Sequence, residues 1–169
     1  KSFIMTVNAG FIPEDHWSQN SSIGGGRIIG EACHFIDLLQ HIAGFPIVSY
    51  NSAVMNSTSL DTVTLNLKFS DGSIGAINYF ANGHKSFPKE RLEIFAEGGV
   101  LQLDNFRRLT GFGWPTFSKM RLWQQNKGQF ECVNSFVNGI KEGVQPIAIK
   151  EIFETTRISI ELANSIKGC

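Results

Sequence analysis

The sequence has few charged residues and no long apolar run, and each shortage excludes a class of partner. Only 18% of its 169 residues are charged, and 15 Lys and Arg balance 15 Asp and Glu to a net charge of zero. A chain without a positive field is a poor match for nucleic acid or for an anionic membrane surface. No stretch approaches the roughly 18 apolar residues of a membrane span. We therefore expect neither a nucleic-acid partner nor a membrane partner.

Cysteine is also scarce. Cys33, Cys132 and Cys169 are odd in number and form no C-x-x-C pair. Disulfide scaffolds and structural zinc sites need paired cysteines at short spacing, so we expect neither of them. The same scarcity predicts a reducing compartment, the cytoplasm.

Phenylalanine and glycine, by contrast, are abundant. Fourteen Phe predict a large core or a broad flat interface, because so lightly charged a chain cannot comfortably expose that much apolar surface. Seventeen Gly exceed the roughly 7% of an average chain and predict many turns.

Apolar periodicity predicts one early strand and three helices. Residues 2–8 favour a strand, and residues 27–44 form the clearest helix, stopped by a glycine and a proline. Two further helices are predicted at residues 129–142 and at about residues 150–167. In the second helix the residues predicted to point inward are Phe130, Val133, Val137 and Ile140. In the third helix the residues predicted to share one face are Ile152, Thr156, Ile160 and Ala163.

Between the first and second helices the period changes to two. Residues 48–124 predict some six consecutive strands, with tight turns at residues 70–73 and 98–99. Consecutive strands joined by tight turns form an antiparallel sheet, and segregated helices cover one face of it. The predicted fold is therefore α+β, an open, predominantly antiparallel sheet with helices on one face, in a single domain over residues 1–169.

Most polar groups of chemical interest lie on the first helix. Glu31 and Asp37 each lie three residues from His34, so either carboxylate is predicted to orient its imidazole, the usual arrangement for taking a proton from an alcohol. The alternative is a solvated helix face. Helical spacing puts four residues on this stripe, namely Gly30, His34, Asp37 and His41.

Two other interpretations of the same segment fail. Glu31-x-x-His34 has the spacing of a di-iron ligand pair, but the chain supplies no second copy, so no metal is expected. Gly24-x-Gly26-x-x-x-Gly30 is one residue longer than a dinucleotide fingerprint and does not follow a buried strand. An anion or substrate-hydroxyl site at the helix start, with Arg27 pointing outward, remains open.

Two connections are weaker candidates. His16 and Trp17 form either a pair that stacks on and hydrogen-bonds a sugar or simply a loop packed by an aromatic ring. The polar, basic connection at residues 82–91 is either a functional loop or a solvated turn, and the solvated turn is favoured.

Four sequence blocks resemble the C-terminal domain of the Gfo/Idh/MocA oxidoreductases. They are VNAG at residues 7–10, DHW at 15–17, GGGRIIGEACHFIDLL at 24–39 and FPKERLEIFAEGG at 87–99. The resemblance implies a substrate-binding domain that works with a Rossmann domain, which binds NAD or NADP and is not represented in these residues. It also implies an oligomer formed through the free face of the sheet.

The resemblance assigns roles as well. His34 matches the family's catalytic histidine, while Gly30 stands where many relatives have Asp, with Glu31 next to it as the catalytic partner. The expected substrate contacts are Arg27, Asp37, His16, Trp17 and Asn8, and no cofactor-binding residue is expected here.

The function expected on this basis is that of the C-terminal substrate-binding domain of an NAD(P)-dependent dehydrogenase. The complete enzyme would oxidise or reduce a hydroxyl of a sugar, sugar nucleotide or cyclitol by hydride transfer, and this chain alone would be inactive. The alternative is a non-catalytic assembly module whose sheet mediates homo-oligomerisation.

Overall fold

An eight-stranded sheet forms the body of the protein in a computed structural model, which describes residues 1–20 and 22–167. The strands are β1 Ser2–Asn8, β2 Ile47–Val54, β3 Val63–Phe69, β4 Ile74–Phe80, β5 Glu90–Ala96, β6 Gly99–Asp104, β7 Arg108–Phe112 and β8 Lys119–Arg121. Their order across the sheet is β2-β3-β4-β1-β5-β6-β7-β8. Every pairing is antiparallel except that of β1 with β4. The predicted α+β class and open, predominantly antiparallel sheet are confirmed.

Tight turns produce the antiparallel pairs. Gly72 adopts a φ of 87° between β3 and β4, and Gly98 a φ of 81° between β5 and β6. Glycine adopts this left-handed conformation without a steric penalty, which is why these two positions reverse the chain. Seven strands follow the first helix rather than the six predicted.

Strand β1 lies at the centre of the sheet, parallel to β4 and antiparallel to β5. Its alternate residues Phe3, Met5 and Val7 are buried on the helix side. The parallel pairing brings the ends of β1 and β4 to the same edge of the sheet, and the antiparallel pairing brings the start of β5 there too. The candidate site is built at this edge.

Two helices cover one face of the sheet. A π-helical turn, Ile28–Ala32, runs directly into α1, Cys33–Ala43, which ends at the left-handed Gly44. The helix α3, Ile149–Lys167, packs beside α1. The core between sheet and helices takes Phe35, Ile36 and Leu39 from α1 and Ile158, Leu162, Ala163 and Ile166 from α3.

The four α3 residues predicted to share one face differ in burial. Ala163 is buried, but Ile152, Thr156 and Ile160 are exposed. The helix carries apolar residues on more than one side, so its period alone does not select the side that faces the sheet.

The middle helix α2, Gln129–Glu142, has the predicted bounds but buries none of its residues. Phe130 is 73% exposed and Ile140 is 67% exposed, and Val133 and Val137 are exposed as well. The prediction that these four residues point inward is therefore wrong. Nothing in the described part of the chain covers this apolar face. No helix among the described residues has the length and hydropathy to cross a bilayer.

Candidate active site

Arg27 lies at the start of the π-helical turn and is only 4% exposed. Its guanidinium donates to the carbonyl oxygens of Gly10 (2.7 Å) and Ala9 (2.8 Å) and to Glu31 Oε2 (3.2 Å). The prediction that Arg27 points outward is wrong, and its role as a substrate contact stays a prediction. Its side chain instead ties the first helical turn to the segment that follows β1.

A second carboxylate completes the charge balance around this arginine. Asp61 Oδ2 lies 3.5 Å from Arg27 Nη1, and the Asp61 side chain is 7% exposed. Gln19 Nε2 donates to Asp61 at 3.0 Å, and the hydroxyl of Ser59 also donates to it. No sequence motif points to Asp61, which lies in a connection 34 positions after Arg27.

Glu31 is bound on both carboxylate oxygens. Lys89 Nζ lies 2.6 Å from Oε1, and the Tyr79 hydroxyl and Arg27 both donate to Oε2. Partial burial raises the pKa of Glu31, but the hydrogen bonds from Lys89 and Tyr79 and the charges of Lys89 and Arg27 outweigh it and hold the pKa below its usual range. Glu31 is therefore a fixed anion, poorly suited to accept a proton from substrate.

Tyr79 is the buried aromatic residue of this cluster. It is fully buried on β4, and the Arg27 guanidinium lies 5.3 Å from its ring centroid. Burial, together with the hydrogen bond to the Glu31 carboxylate, raises the Tyr79 pKa far above its ordinary value. The hydroxyl thus remains a donor at neutral pH, and β4 is fixed to the helix start. Sequence reasoning missed both Tyr79 and Lys89.

His34 lies one turn beyond this cluster, on the exposed side of α1. Neither Glu31 nor Asp37 hydrogen-bonds its imidazole, so the predicted carboxylate–histidine pairs are absent among the described residues. Glu31 is occupied by the cluster, and Asp37 is within 3.4 Å of Thr155 Oγ1 on α3. His34 consequently presents a free imidazole at the surface.

The pair His16 and Trp17 forms a compact loop feature. The two ring centroids are 5.7 Å apart, and His16 Nδ1 lies 2.7 Å from Ser18 Oγ. Trp17 is exposed. The loop packs closely on Gly24, where a Cβ atom would lie 2.7 Å from backbone atoms of Trp17 and Ser18. The role of His16 and Trp17 as substrate contacts stays a prediction.

Asn8, at the end of β1, is used inside the chain. Its amide nitrogen donates to the carbonyl oxygens of His84 (2.9 Å) and Phe87 (3.1 Å), which holds the connection between β4 and β5. Both amide donors are therefore taken within the chain, and the role of Asn8 as a substrate contact stays a prediction. Its Oδ1 is buried without a hydrogen-bond partner and packs against Gly83.

The described residues do not fit a dinucleotide. The Gly24–Gly26 turn follows an irregular loop, whereas a dinucleotide site requires a preceding strand, and the arginine beside it faces inward. Among the residues placed by the structure, no three His, Cys, Asp or Glu side chains converge as a metal site requires.

Several solved structures share this fold across nearly the whole chain. UDP-N-acetylglucosamine 3-dehydrogenase from Acidithiobacillus ferrooxidans matches 99% of it with a TM-score of 0.78 at 14% identity, which is 54% of that protein's own chain. The aldose-aldose oxidoreductase from Caulobacter crescentus, complexed with glycerol, matches 99% with a TM-score of 0.76 at 14% identity, or 53% of its chain.

Levoglucosan dehydrogenase, solved as a complex with NADH, matches 99% with a TM-score of 0.79 at 18% identity, or 56% of its chain. The present chain therefore spans about half the length of these structures. No protein of curated function matches the sequence. The profile of the oxidoreductase family's C-terminal alpha/beta domain, that of the Gfo/Idh/MocA proteins, matches residues 3–97, more than half of the chain. The chain belongs to the Gfo/Idh/MocA oxidoreductase family, as a C-terminal alpha/beta domain.

Proposed function

We propose that this domain is the substrate-binding part of an NAD(P)-dependent oxidoreductase that acts on a hydroxyl of a sugar, sugar nucleotide or cyclitol. Family membership supports an oxidoreductase, and the three structures above, named for sugars or a sugar nucleotide, support the substrate class. The observation that carries the proposal is the free, exposed imidazole of His34 beside a rigid buried charge cluster.

His34 is the proton acceptor in this proposal. When an alcohol is oxidised, its hydroxyl proton must pass to a base, and the imidazole of a histidine is the side chain that most often takes it. A free Nδ1 and Nε2 leave the ring available to a substrate hydroxyl. The hydride is accepted by a nicotinamide bound outside the described residues, because the described residues do not fit a dinucleotide.

Glu31 has a positioning role here rather than the acid–base role first expected. Its contacts with Tyr79 and Lys89 join the helix start to β4 and to the connection before β5, and so hold in place the backbone that carries His34. Such rigidity matters because a misplacement of about 1 Å can lower turnover about 10²-fold.

The test is a substrate screen on the complete protein, following reduced nicotinamide by absorbance. We expect His34→Gln to lower turnover about 10²- to 10⁴-fold without changing the melting temperature. The control is His41→Gln, which replaces another exposed histidine two turns along the same helix and should leave turnover unchanged. A His34→Gln variant with turnover within a few-fold of wild type would contradict the catalytic role and favour a binding or assembly module.

We also propose that the free face of the sheet joins copies of the chain. This face exposes the aromatic rings of Phe80, Phe95 and Phe112. They flank charged rows in which Arg91 pairs with Glu93 and Arg108 pairs with Asp104. A face with both signs of charge in ordered rows is suited to a two-fold related copy. Light scattering that finds only monomer up to millimolar concentration would contradict this proposal.

The uncovered face of α2 supports a second partner surface. Phe130, Phe136 and Ile140 are all more than half exposed, on one helix that buries nothing. We propose that this surface contacts the nicotinamide-binding part of the complete enzyme.

Because the proposal places the cofactor outside this domain, calorimetric titration of the 169-residue chain should show no micromolar NADH binding. Micromolar binding would contradict the proposal that this domain binds only the substrate.

A further inference from the structure

We propose that a surface cavity beside the charge cluster binds an anionic substituent, a carboxylate or a phosphate, on the carbohydrate substrate. This inference rests on the proposed function and names the substrate class more closely. The cavity has a volume of about 300 Å³ and lies between residues 8–12, after β1, and residues 85–89, before β5. Its lining side chains include Phe11, Lys85, Phe87 and Lys89.

The walls of the cavity are held by hydrogen bonds. The Asn8 backbone N–H donates to the Lys89 carbonyl at 2.8 Å, and the Asn8 amide binds the carbonyls of His84 and Phe87. The carbonyls of Ala9 and Gly10, on the opposite wall, accept from the buried Arg27. Both walls are therefore fixed before a ligand arrives, which reduces the entropy lost on binding.

The charge balance around the cavity favours an anion. Arg27 and Lys89 offset Glu31 and Asp61, and the four groups together are neutral. Lys85 adds one more ammonium group, which has no ion-pair or hydrogen-bond partner among the described residues. Its positive charge is left for a ligand, and a carboxylate or phosphate is the group that would neutralise it.

The apolar part of the lining fits a sugar. Phe11 is 70% exposed and Phe87 is 64% exposed, which leaves two aromatic rings open at the cavity. Exposed aromatic surface beside convergent polar groups is typical of a ligand site. The C–H faces of a pyranose ring offer apolar surface for such rings. A volume at the lower limit of ligand cavities, about 300 to 1,000 Å³, suits one sugar unit.

The cavity is also connected to the proposed catalytic residue. Lys89 lines it and binds Glu31, which precedes His34 by only three residues on the same helical segment. Residues three apart on a helix are neighbours on its surface. In this proposal a substrate anchored by its anionic group at Lys85 extends past Lys89 towards the His34 imidazole.

The experiment measures binding by the 169-residue chain with three probes: glucuronate, glucose 6-phosphate and glucose. We expect one or both anionic sugars to bind about tenfold more tightly than glucose, with the better of the two identifying carboxylate or phosphate. Lys85→Gln should remove this preference without weakening glucose binding. The matched control is Lys141→Gln, an exposed lysine in the last turn of α2, which should keep the preference.

Equal binding of all three probes by the wild-type chain would overturn the proposal, as would loss of the preference in Lys141→Gln or its retention in Lys85→Gln. His34→Gln separates this proposal from the proposed function. It should keep the anion preference in the binding assay while lowering turnover of the complete protein. If His34→Gln retains turnover and Lys85→Gln loses the anion preference, only the catalytic role is contradicted. If His34→Gln lowers turnover as expected and Lys85→Gln keeps the preference, only the anion site is contradicted.

Discussion

Replacing Arg27 by methionine tests whether the buried charge cluster stabilises the domain. Methionine keeps most of the apolar stem and removes the guanidinium, so the change isolates the charge and its hydrogen bonds. Three hydrogen bonds are lost, to the carbonyls of Ala9 and Gly10 and to the Glu31 carboxylate, together with two ion pairs, to Glu31 and Asp61. Two carboxylates then lose a cation, and the one on Asp61 is almost wholly buried.

The expected loss is about 3 kcal/mol in the free energy of unfolding. Breaking a buried ion pair by removing one partner typically costs about 3–5 kcal/mol. The low end applies because Glu31 keeps Lys89 and Asp61 keeps Gln19. For a chain of this length, such a loss lowers the melting temperature by about 6–12 °C.

Urea unfolding at pH 7 measures the loss, with Arg157→Met as the control. Arg157 lies at the surface of α3, where it pairs with the exposed Glu161, so its removal should change stability little. The double variant Arg27→Met/Asp61→Asn should recover at least about 1 kcal/mol of the loss, because it removes one of the uncompensated charges. A loss below about 1 kcal/mol for Arg27→Met, or no recovery in the double variant, would refute the reasoning.

Three further predictions concern the same edge of the sheet. The folded-state pKa of Glu31 lies below its ordinary value of 4.5, so Glu31→Gln should destabilise the protein at neutral pH, and the difference from wild type should shrink as pH falls below that value; a difference that is constant down to pH 3 in urea titrations would contradict this. Gly24→Ala puts a Cβ 2.7 Å from backbone atoms of Trp17 and should lower stability by about 1–3 kcal/mol and speed proteolysis of the loop; unchanged cleavage would contradict the close packing. Gly83→Ala puts a Cβ in steric overlap with Asn8 Oδ1 and should displace that side chain, which would speed hydrogen exchange in the connection before β5. Unaltered exchange would show that the connection does not depend on Asn8.

The strands, the helices and the fold class followed from the sequence because each depends on neighbouring residues. Alternation in residues 63–69 and the Asp71-Gly72 turn define a hairpin without reference to the rest of the chain. The helix that carries His34 was likewise predictable from its apolar period and from the glycine that ends it. The exposed position of His34 is a consequence of that same period.

Only the tertiary structure decided which faces are covered and which distant groups meet. Periodicity defines an apolar stripe but does not identify what packs against it, so the stripe of α2 was wrongly predicted to be buried. Likewise, Arg27 was expected at the surface, because nothing near it in sequence shows that Asp61 and the carbonyls after β1 surround it.

The pairing of Glu31 with Lys89 and Tyr79 shows most clearly why sequence alone could not predict the site. These residues are about fifty positions apart, and they meet because β1 inserts between β4 and β5 and brings three strand ends to one edge. The sequence by itself determined the local elements and the family of the chain. The insertion of β1, which rests on long-range strand register, determined that Glu31 meets Lys89 and Tyr79 and that a cavity opens beside them.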